Sequence, residues 1–288
     1  MLTKLFRLTK RPAVLALLLM ASTTDAGVLE KLFAPKAELW SRWTEYDEAS
    51  SRRIDHSPWD RFLKAYVIEG KDGINRVAYD RVSEQDLAAL SSYISSLASI
   101  QVSSYARSEQ LAYWINLYNA LTLQTVLEHY PVTSIRDIDI SGGLFSDGPW
   151  RKKLIEVEGE AVSLDDIEHR ILRPIWKDPR IHYAVNCASL GCPNLQPVAF
   201  TAKNAEDLLA RGARDYVNHP RGVRVSRDSL ALSSIYSWFE ADFAKDGGVL
   251  AHVQRFASPD LADELKRFDR AGKYEYDWSL NDAGAGSG

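Results

Sequence analysis

The stretch from Ser108 to Pro131, "SEQLAYWINLYNALTLQTVLEHYP", decides the fold class of this 288-residue chain. Its apolar residues cover almost the whole circumference of a helix, which predicts burial at the centre of a domain. The pattern stops at Pro131, because proline cannot continue a helix. We therefore expect a buried central helix over about residues 108–130. Its expected core side chains are Trp114, Leu117, Tyr118 and Leu121.

Two carboxamides, Asn116 and Asn119, share one face of this helix. An unpaired buried amide costs about 1–3 kcal/mol, so both side chains need hydrogen-bond partners. One interpretation is structural, with the amides tying neighbouring loops to the helix. The other is that they line a polar substrate-binding site.

The flanking segments predict further helices and a few short strands. Ser57 and Ser163 are the expected N-caps of two helices, "SPWDRFLKAYV" and "LDDIEHRILRPIW". Two more helices are expected in "SEQDLAALSSYISSLASI" and "NAEDLLARGARDYVN". Hairpins are expected in "KKLIEVEGEAVSL" and "GVRVSRDSLALS", and single strands in "RIHYAVNCAS" and "KYEYDWSLN". This balance predicts an α+β fold, a helix-rich single domain with a small, mainly antiparallel sheet.

The two ends of the chain predict segments outside this domain. Basic residues precede the apolar run "AVLALLLMA", which is too short to span a bilayer and is typical of a secretory signal peptide over residues 1–26. We expect a helical extension over 27–56, the domain over 57–281 and a disordered tail over 282–288. The protein should then be exported, periplasmic or secreted, with no integral membrane segment in the mature chain.

Composition and motifs exclude some functions. A formal net charge of −4 provides no basic field for nucleic acid. The glycine-rich "SGGLFSDGPW" lacks the Lys-Ser/Thr ending of a phosphate-binding loop, so no nucleotide site is expected. The sequence predicts no cofactor.

Several long segments together resemble one protein family. They are "AYWINLYNALTLQTVL", "LDDIEHRILR", "DPRIHYAVNCASLGCPNL", "LSSIYSWFEADF" and "YDWSLN". In this order they resemble the bacterial, exported branch of the family called domain of unknown function 547. The resemblance implies no activity, because the family is named for lacking one. Its plant relatives are similar around Cys187 but usually lack a counterpart of Cys192.

Both cysteines of the chain, Cys187 and Cys192, lie in "HYAVNCASLGCPN". Export to an oxidising compartment would favour a disulfide between them. A disulfide that closes so short a loop would stabilise the fold by about 2 kcal/mol. A metal site is less favoured, because a closed zinc site needs four ligands and no second Cys/His pair is present. The spacing also differs from the Cys-x-x-Cys of redox folds. A third alternative is that Cys187 is a nucleophile at the end of a strand.

The nucleophile hypothesis needs a base and an orienting group. Strand alternation would turn Arg180, His182 and Asn186 away from the face that carries Cys187. His169, on a separate helix beside Asp165, Asp166 and Arg173, is therefore the better base if that helix face looks into a cleft. The other interpretation is a solvated histidine on a polar helix face. Glu168 and Asn186 are candidates for the orienting role. The turn after Cys187 could offer N–H donors to an oxyanion.

These observations give two functional hypotheses. The first is a cysteine-dependent hydrolase or acyl transferase acting on an amide or thioester. Its catalytic residues would be Cys187, His169 and Glu168, and its substrate-binding residues Asn116, Asn119, Arg180, His182 and Asn186. The second is a non-catalytic envelope module that binds a peptide, glycan or small thiol, with Cys187 and Cys192 in a structural disulfide. Both imply a small-molecule or peptide ligand, and neither defines an oligomeric state.

Overall fold

The computed structural model describes Lys31, residues 34–142 and residues 148–284. The α-helices in this part of the chain are α1 (Ser57–Tyr66), α2 (Glu84–Ala98), α3 (Arg107–His129), α4 (Arg173–Trp176), α5 (Ala205–Val217), α6 (Ser234–Trp238), α7 (Val249–Phe256) and α8 (Pro259–Leu265). A π-helix, Asp166–Leu172, leads directly into α4. The 3-10 helices are Ser41–Thr44, Tyr79–Arg81, Val102–Ser104, Ile135–Asp137, Pro179–Tyr183 and Glu240–Asp246.

The strands are short and form local sheets. They are β1 (Val67–Glu69), β2 (Asn75–Val77), β3 (Ile155–Val157), β4 (Glu160–Val162), β5 (Val223–Val225), β6 (Leu230–Ser233) and β7 (Lys273–Glu275). β1–β2 and β3–β4 are antiparallel hairpins, and β6 pairs antiparallel with β5 and parallel with β7. The predicted helix-rich α+β fold with small, mainly antiparallel sheets is confirmed.

Helix α3 is the predicted central helix, and the main hydrophobic core surrounds it. Trp114, Leu117, Tyr118 and Leu121 are all buried there, as the sequence predicted. A second core lies between α5, the sheet β5–β6–β7 and helices α6 to α8. Because residues on all sides of α3 are apolar, the helix can be covered by neighbours around its whole circumference.

The π-helix Asp166–Leu172 has a local cause. Pro174 lacks an N–H, so the carbonyl of Arg170 cannot accept the hydrogen bond expected four residues later. The amide of Arg173 bonds instead to the carbonyl of Glu168, five residues back. The carbonyls of His169 and Arg170 accept from the amides of Glu38 and Trp40, at 2.9 and 3.0 Å. The amino-terminal segment therefore supports the wide helical turn that carries Glu168 and His169.

Three local predictions need correction. The stretch Arg180–Ser189 is not a strand. It begins in the 3-10 helix Pro179–Tyr183 and continues as a loop, with one isolated β-bridge between Ser189 and Leu280. The N-cap of α1 is His56, one residue before the predicted Ser57. The expected helical extension has, over residues 34–56, only the 3-10 turn Ser41–Thr44.

The predicted ends fall largely outside the described residues. The predicted signal peptide, residues 1–26, lies there entirely, as do residues 285–288 of the predicted disordered tail. Residues 282–284 are described, and the amide of Ala283 bonds to the carbonyl of Val77 at 2.9 Å. Among the described helices, none combines the length and apolar character needed to cross a bilayer.

Candidate functional site

A cavity of about 290 Å³ opens where the π-helix, the loop after Tyr183 and the carboxyl-terminal segment, residues 276–284, meet. Aromatic rings form one wall: Trp150, Trp238, Phe239, Tyr276 and Trp278. Reactive and ionisable side chains also line the cavity: Asp165, Glu168, His169, His182, Cys187 and Cys192. The structure therefore brings the predicted catalytic residues Cys187, His169 and Glu168 to one cavity.

The loop that carries Cys187 is fixed by a buried amide of the central helix. Asn119 donates from Nδ2 to the carbonyl of Ala184 at 2.9 Å, and its Oδ1 accepts from the amide of Asn186 at 2.8 Å. The next residue after the cysteine, Ala188, has a φ of 59°, in the left-handed region. A non-glycine residue in that region costs about 1–2 kcal/mol, and such strain is concentrated at functional sites.

The thiol of Cys187 has three polar neighbours. Its Sγ lies 3.0 Å from Sγ of Cys192, 3.0 Å from the hydroxyl of Tyr276 and 3.3 Å from the hydroxyl of Ser189. Both cysteines are free thiols. The hydrogen bond from Cys192 lowers the pKa of the Cys187 thiol, and those from Ser189 and Tyr276 act in the same direction. Burial raises the pKa of Cys192 well above its ordinary value, and its contact with Cys187 raises it further.

His182 lies between two carboxylates. Its Nε2 is 2.8 Å from Oδ2 of Asp242, and its Nδ1 is 3.6 Å from Oε1 of Glu168. The ring stacks on Phe239 with the two planes 7° apart. Because Asp242 fixes one nitrogen and Phe239 fixes the plane, the second nitrogen is held in a defined direction.

His169 has a different environment. Its Nδ1 accepts a hydrogen bond from Nη1 of Arg173 at 2.8 Å, so the proton of the neutral ring is on Nε2, which lies 3.7 Å from Asp165. Burial lowers the pKa of His169 to about 4, and Glu168 opposes that shift only in part. At neutral pH the ring is therefore uncharged, and its Nδ1 lone pair is already used.

The carboxyl groups of the cavity have pKa values shifted in opposite directions. Burial raises the pKa of Glu168, but nearby His169, His182 and Arg173 outweigh it and lower the pKa to about 2. His169 is neutral at pH 7, whereas Arg173 keeps its positive charge at that pH. Burial, with a contribution from Glu168, raises the pKa of Asp165 to about 6. Divergent carboxyl pKa values in one pocket are typical of acid–base sites.

The other predicted substrate-binding residues lie outside the cavity lining. Arg180 pairs with Asp178 and Glu206. Asn116 clamps the backbone of Phe200 on both its amide and its carbonyl, at 3.0 and 2.8 Å. Asn186 donates to the carbonyl of Pro193. Asn119 clamps the backbone of Ala184 and Asn186, as described above. Of the five residues predicted to bind substrate, His182 lines the cavity.

The turn after Cys187 has few amides to offer an oxyanion. The amide of Cys187 points to Sγ of Cys192 at 3.0 Å, and that of Ala188 to Oδ1 of Asn186 at 2.8 Å. The amides of Leu190 and Gly191 bond to the carboxyl-terminal segment. A change at Cys192 that removes its sulfur would free the Cys187 amide to donate to an oxyanion.

Sequence interpretation missed Asp242 and most of the aromatic wall. Asp242 lies in the 3-10 helix Glu240–Asp246, far along the chain from His182, and its signal was the family-like segment "LSSIYSWFEADF", which contains it. The aromatic wall had a weak signal in "KYEYDWSLN", whose alternating aromatic residues predict a closing strand. Within the described ranges, no three His, Cys, Asp or Glu side chains are grouped so that they could hold a metal ion.

Comparison with known proteins gives one match. No curated protein matches the chain, and no solved structure does. Residues 102–217, which include the central helix, the π-helix and both cysteines, match the model of the family described as "Protein of unknown function, DUF547", and this supports assignment of that part of the chain to the family.

Proposed function

We propose that the protein is a cysteine-dependent hydrolase or acyl transferase that acts on an amide or thioester. The single observation that carries the proposal is the position of Cys187. Its thiol, whose pKa is lowered, shares one cavity with two histidines, two carboxyl groups and an aromatic wall. Cysteine chemistry requires a thiolate, a proton-accepting group and a pocket for the acyl group.

In this proposal the base is His182 rather than the predicted His169. Arg173 already occupies the Nδ1 lone pair of His169. At His182, the Nε2–H group donates a hydrogen bond to Oδ2 of Asp242, and no described residue donates to Nδ1. A proton accepted at Nδ1 would be placed 3.6 Å from the carboxylate of Glu168, which stays ionised at neutral pH. In this proposal Glu168 supports His182, whereas the sequence predicted it as an orienting group for His169.

The proposed reaction has two steps. The sulfur of Cys187 attacks the substrate carbonyl carbon, its proton passes to His182, and the amine or thiol leaves with a proton. The thioester on Cys187 is then cleaved by water or by an acceptor nucleophile, which restores the thiol. The aromatic wall, which lines the same cavity as the sulfur, supplies an apolar surface for the acyl group.

Trapping the thioester tests this proposal. The purified, reduced protein would be incubated with a panel of aromatic and aliphatic thioesters, and its intact mass would be measured. We expect one acyl group per chain, mapped by peptide mass to Cys187 and absent from Cys187→Ser. Cys192→Ser is the matched control and should still be acylated. Absence of any adduct on Cys187 across the panel would contradict the proposal.

The aromatic wall also favours a second candidate, a non-catalytic module that binds a peptide, glycan or small thiol. Rings such as Trp150, Trp238 and Trp278 provide a large apolar contact area for a ligand. This candidate predicts saturable quenching of tryptophan fluorescence by a ligand that leaves Cys187 unmodified. Export to the periplasm or beyond stays a prediction for either candidate.

A further inference from the structure

The two thiols of the cavity differ in exposure and in hydrogen bonding. Cys187 is partly exposed at the cavity, whereas Cys192 is buried, with 3% of its surface accessible. The hydroxyl of Ser189 donates to that of Tyr276 at 2.9 Å, and the Tyr276 hydroxyl lies within hydrogen-bond distance of Sγ of Cys187. Cys187 is therefore the thiol that an incoming reagent meets, and its sulfur has donors that stabilise an anion.

The backbone between the cysteines is held in place. The hydroxyl of Tyr216 donates to the carbonyl of Gly191 at 2.6 Å, and Nη1 of Arg221 donates to the carbonyl of Leu190 at 3.1 Å. A Cβ at Gly191 would come within 2.8 Å of the backbone of Asp277, so the loop packs closely against the carboxyl-terminal segment. The two sulfurs, 3.0 Å apart, need to approach by only about 1 Å to reach the bonding distance of a disulfide.

We propose that Cys187 and Cys192 form a peroxide-reactive pair, in which Cys187 is oxidised first and Cys192 then closes a reversible disulfide in the cavity lining. The inference goes beyond acyl transfer and uses the same thiol, so oxidation also blocks the proposed nucleophile.

The chemistry balances with a hydroperoxide as the oxidant. The Cys187 thiolate attacks one peroxide oxygen, an S–O bond forms, the O–O bond breaks, and the departing oxygen takes up a proton. The sulfur of Cys192 then attacks the sulfenic sulfur, the S–O bond breaks, and hydroxide leaves as water with the proton of the Cys192 thiol. Two electrons have passed from the two thiols to the hydroperoxide, and an external dithiol returns them.

The order of events follows from the contact between the sulfurs. Burial is the largest cause of the raised pKa of Cys192, and the negative charge of Cys187 raises that pKa further. Once Cys187 has become a neutral sulfenic acid, that charge is gone and Cys192 ionises more readily. The second thiol is therefore activated by oxidation of the first.

The test uses the folded, reduced protein and hydrogen peroxide at one equivalent. We expect the wild type to lose both free thiols together, to lose the mass of two hydrogens and to regain both thiols with dithiothreitol, while its circular dichroism stays native. In Cys192→Ser, dimedone should trap a sulfenic acid on Cys187. In Cys187→Ser, oxidation of the remaining thiol should be at least about tenfold slower, because Cys192 is buried.

Two outcomes would overturn the inference. One is a wild type that gives the same dimedone adduct as Cys192→Ser without forming a disulfide. The other is a disulfide that forms only after the protein is unfolded in urea, a measurement on wild type alone that does not depend on how the variants fold. Acylation of reduced Cys187 by thioesters is measured separately, so a failure here leaves the proposed function standing.

Discussion

Nε2 of His182 lies 2.8 Å from Oδ2 of Asp242, and the same carboxylate oxygen lies 2.6 Å from Nε of Arg173. Asp242 thus joins the histidine that we propose as the base to the helix that carries Glu168 and His169. Hydrogen bonds from His182 and Arg173 outweigh the effect of burial and hold the pKa of Asp242 well below its ordinary range. Removal of this charge should affect both stability and the reactivity of the cavity.

The first prediction concerns Asp242→Asn. Because the change removes the carboxylate that pairs directly with the buried Arg173, we expect a loss of about 3 kcal/mol in the free energy of unfolding. We also expect slower alkylation of Cys187 at neutral pH, since the ring of His182 loses its orienting carboxylate. Asp246→Asn is the matched control, because Asp246 pairs with His252 in the second core, at 2.6 Å. The control should lower stability without changing the alkylation rate of Cys187. An equal fall in the alkylation rates of Asp242→Asn and Asp246→Asn would contradict the prediction.

The second prediction uses two neighbouring carboxyl groups whose pKa values shift in opposite directions. The pKa of Asp165 is raised from 3.8 to about 6, so its contribution to stability is present below pH 4 and is lost as the pH rises through 6. Asp165→Asn should therefore be more stable than wild type at pH 8, by about 1–3 kcal/mol, with the gain disappearing toward pH 4.

Asp166 gives the opposite sign. Burial raises its pKa, but hydrogen bonds from Lys153, Ser163 and Arg170 outweigh that effect and lower it. Its contribution to stability is present above its ordinary pKa and is lost on acidification. Asp166→Asn should therefore be less stable than wild type at pH 8, and the difference should shrink as the pH falls. Urea denaturation at several pH values measures both variants, and a shift in the same direction for both would be the contrary result.

The sequence predicts the central helix better than it predicts the site. The periodicity of α3 predicted its burial, because apolar residues on every side admit no surface position. The stretch Arg180–Ser189 has two competing signals, an apolar alternation and a helix start before it, and the helix start prevails in the structure. Asp178 followed by Pro179 is the helix-start signal, and the Asp178 side chain does accept from the amide of Arg180. The mistaken strand turned His182 away from Cys187, whereas the loop brings both to one cavity.

The site itself depends on features that local patterns do not contain. The widened turn at Glu168 and His169 follows from Pro174 and from hydrogen bonds donated by Glu38 and Trp40. A periodicity of about 100° per residue assumes a regular α-helix and cannot represent that turn. Asp242 is brought to His182 by tertiary packing alone.

The third prediction compares the two amide clamps of α3. Asn119→Ala and Asn116→Ala each leave a backbone N–H and a carbonyl without partners, so each should cost about 2–4 kcal/mol of stability. Only Asn119 holds the segment that leads to Cys187. Asn119→Ala should therefore slow alkylation of Cys187 in the folded protein, and Asn116→Ala should not. Unchanged stability in both variants would contradict the clamp interpretation.

The fourth prediction separates two variants of Cys192. A hydrogen bond from Cys192 is the largest cause of the lowered pKa of Cys187. Cys192→Ser keeps a donor beside the thiol, whereas Cys192→Ala removes it and should raise the Cys187 pKa. The ultraviolet absorbance of the thiolate, followed against pH in these single-thiol proteins, measures the difference. Identical titration curves for the two variants would show that Cys192 does not stabilise the thiolate.

The most direct test of the central claim is the rate of iodoacetamide alkylation of Cys187 as a function of pH. In the reduced wild type we predict a midpoint below the ordinary cysteine value of about 8.5. His182→Asn should slow the reaction at neutral pH more than His169→Asn does, because His182 has the nitrogen that is free to accept a proton. A Cys187 that titrates at or above about 8.5, at a rate that His182→Asn leaves unchanged, would contradict its assignment as the nucleophile.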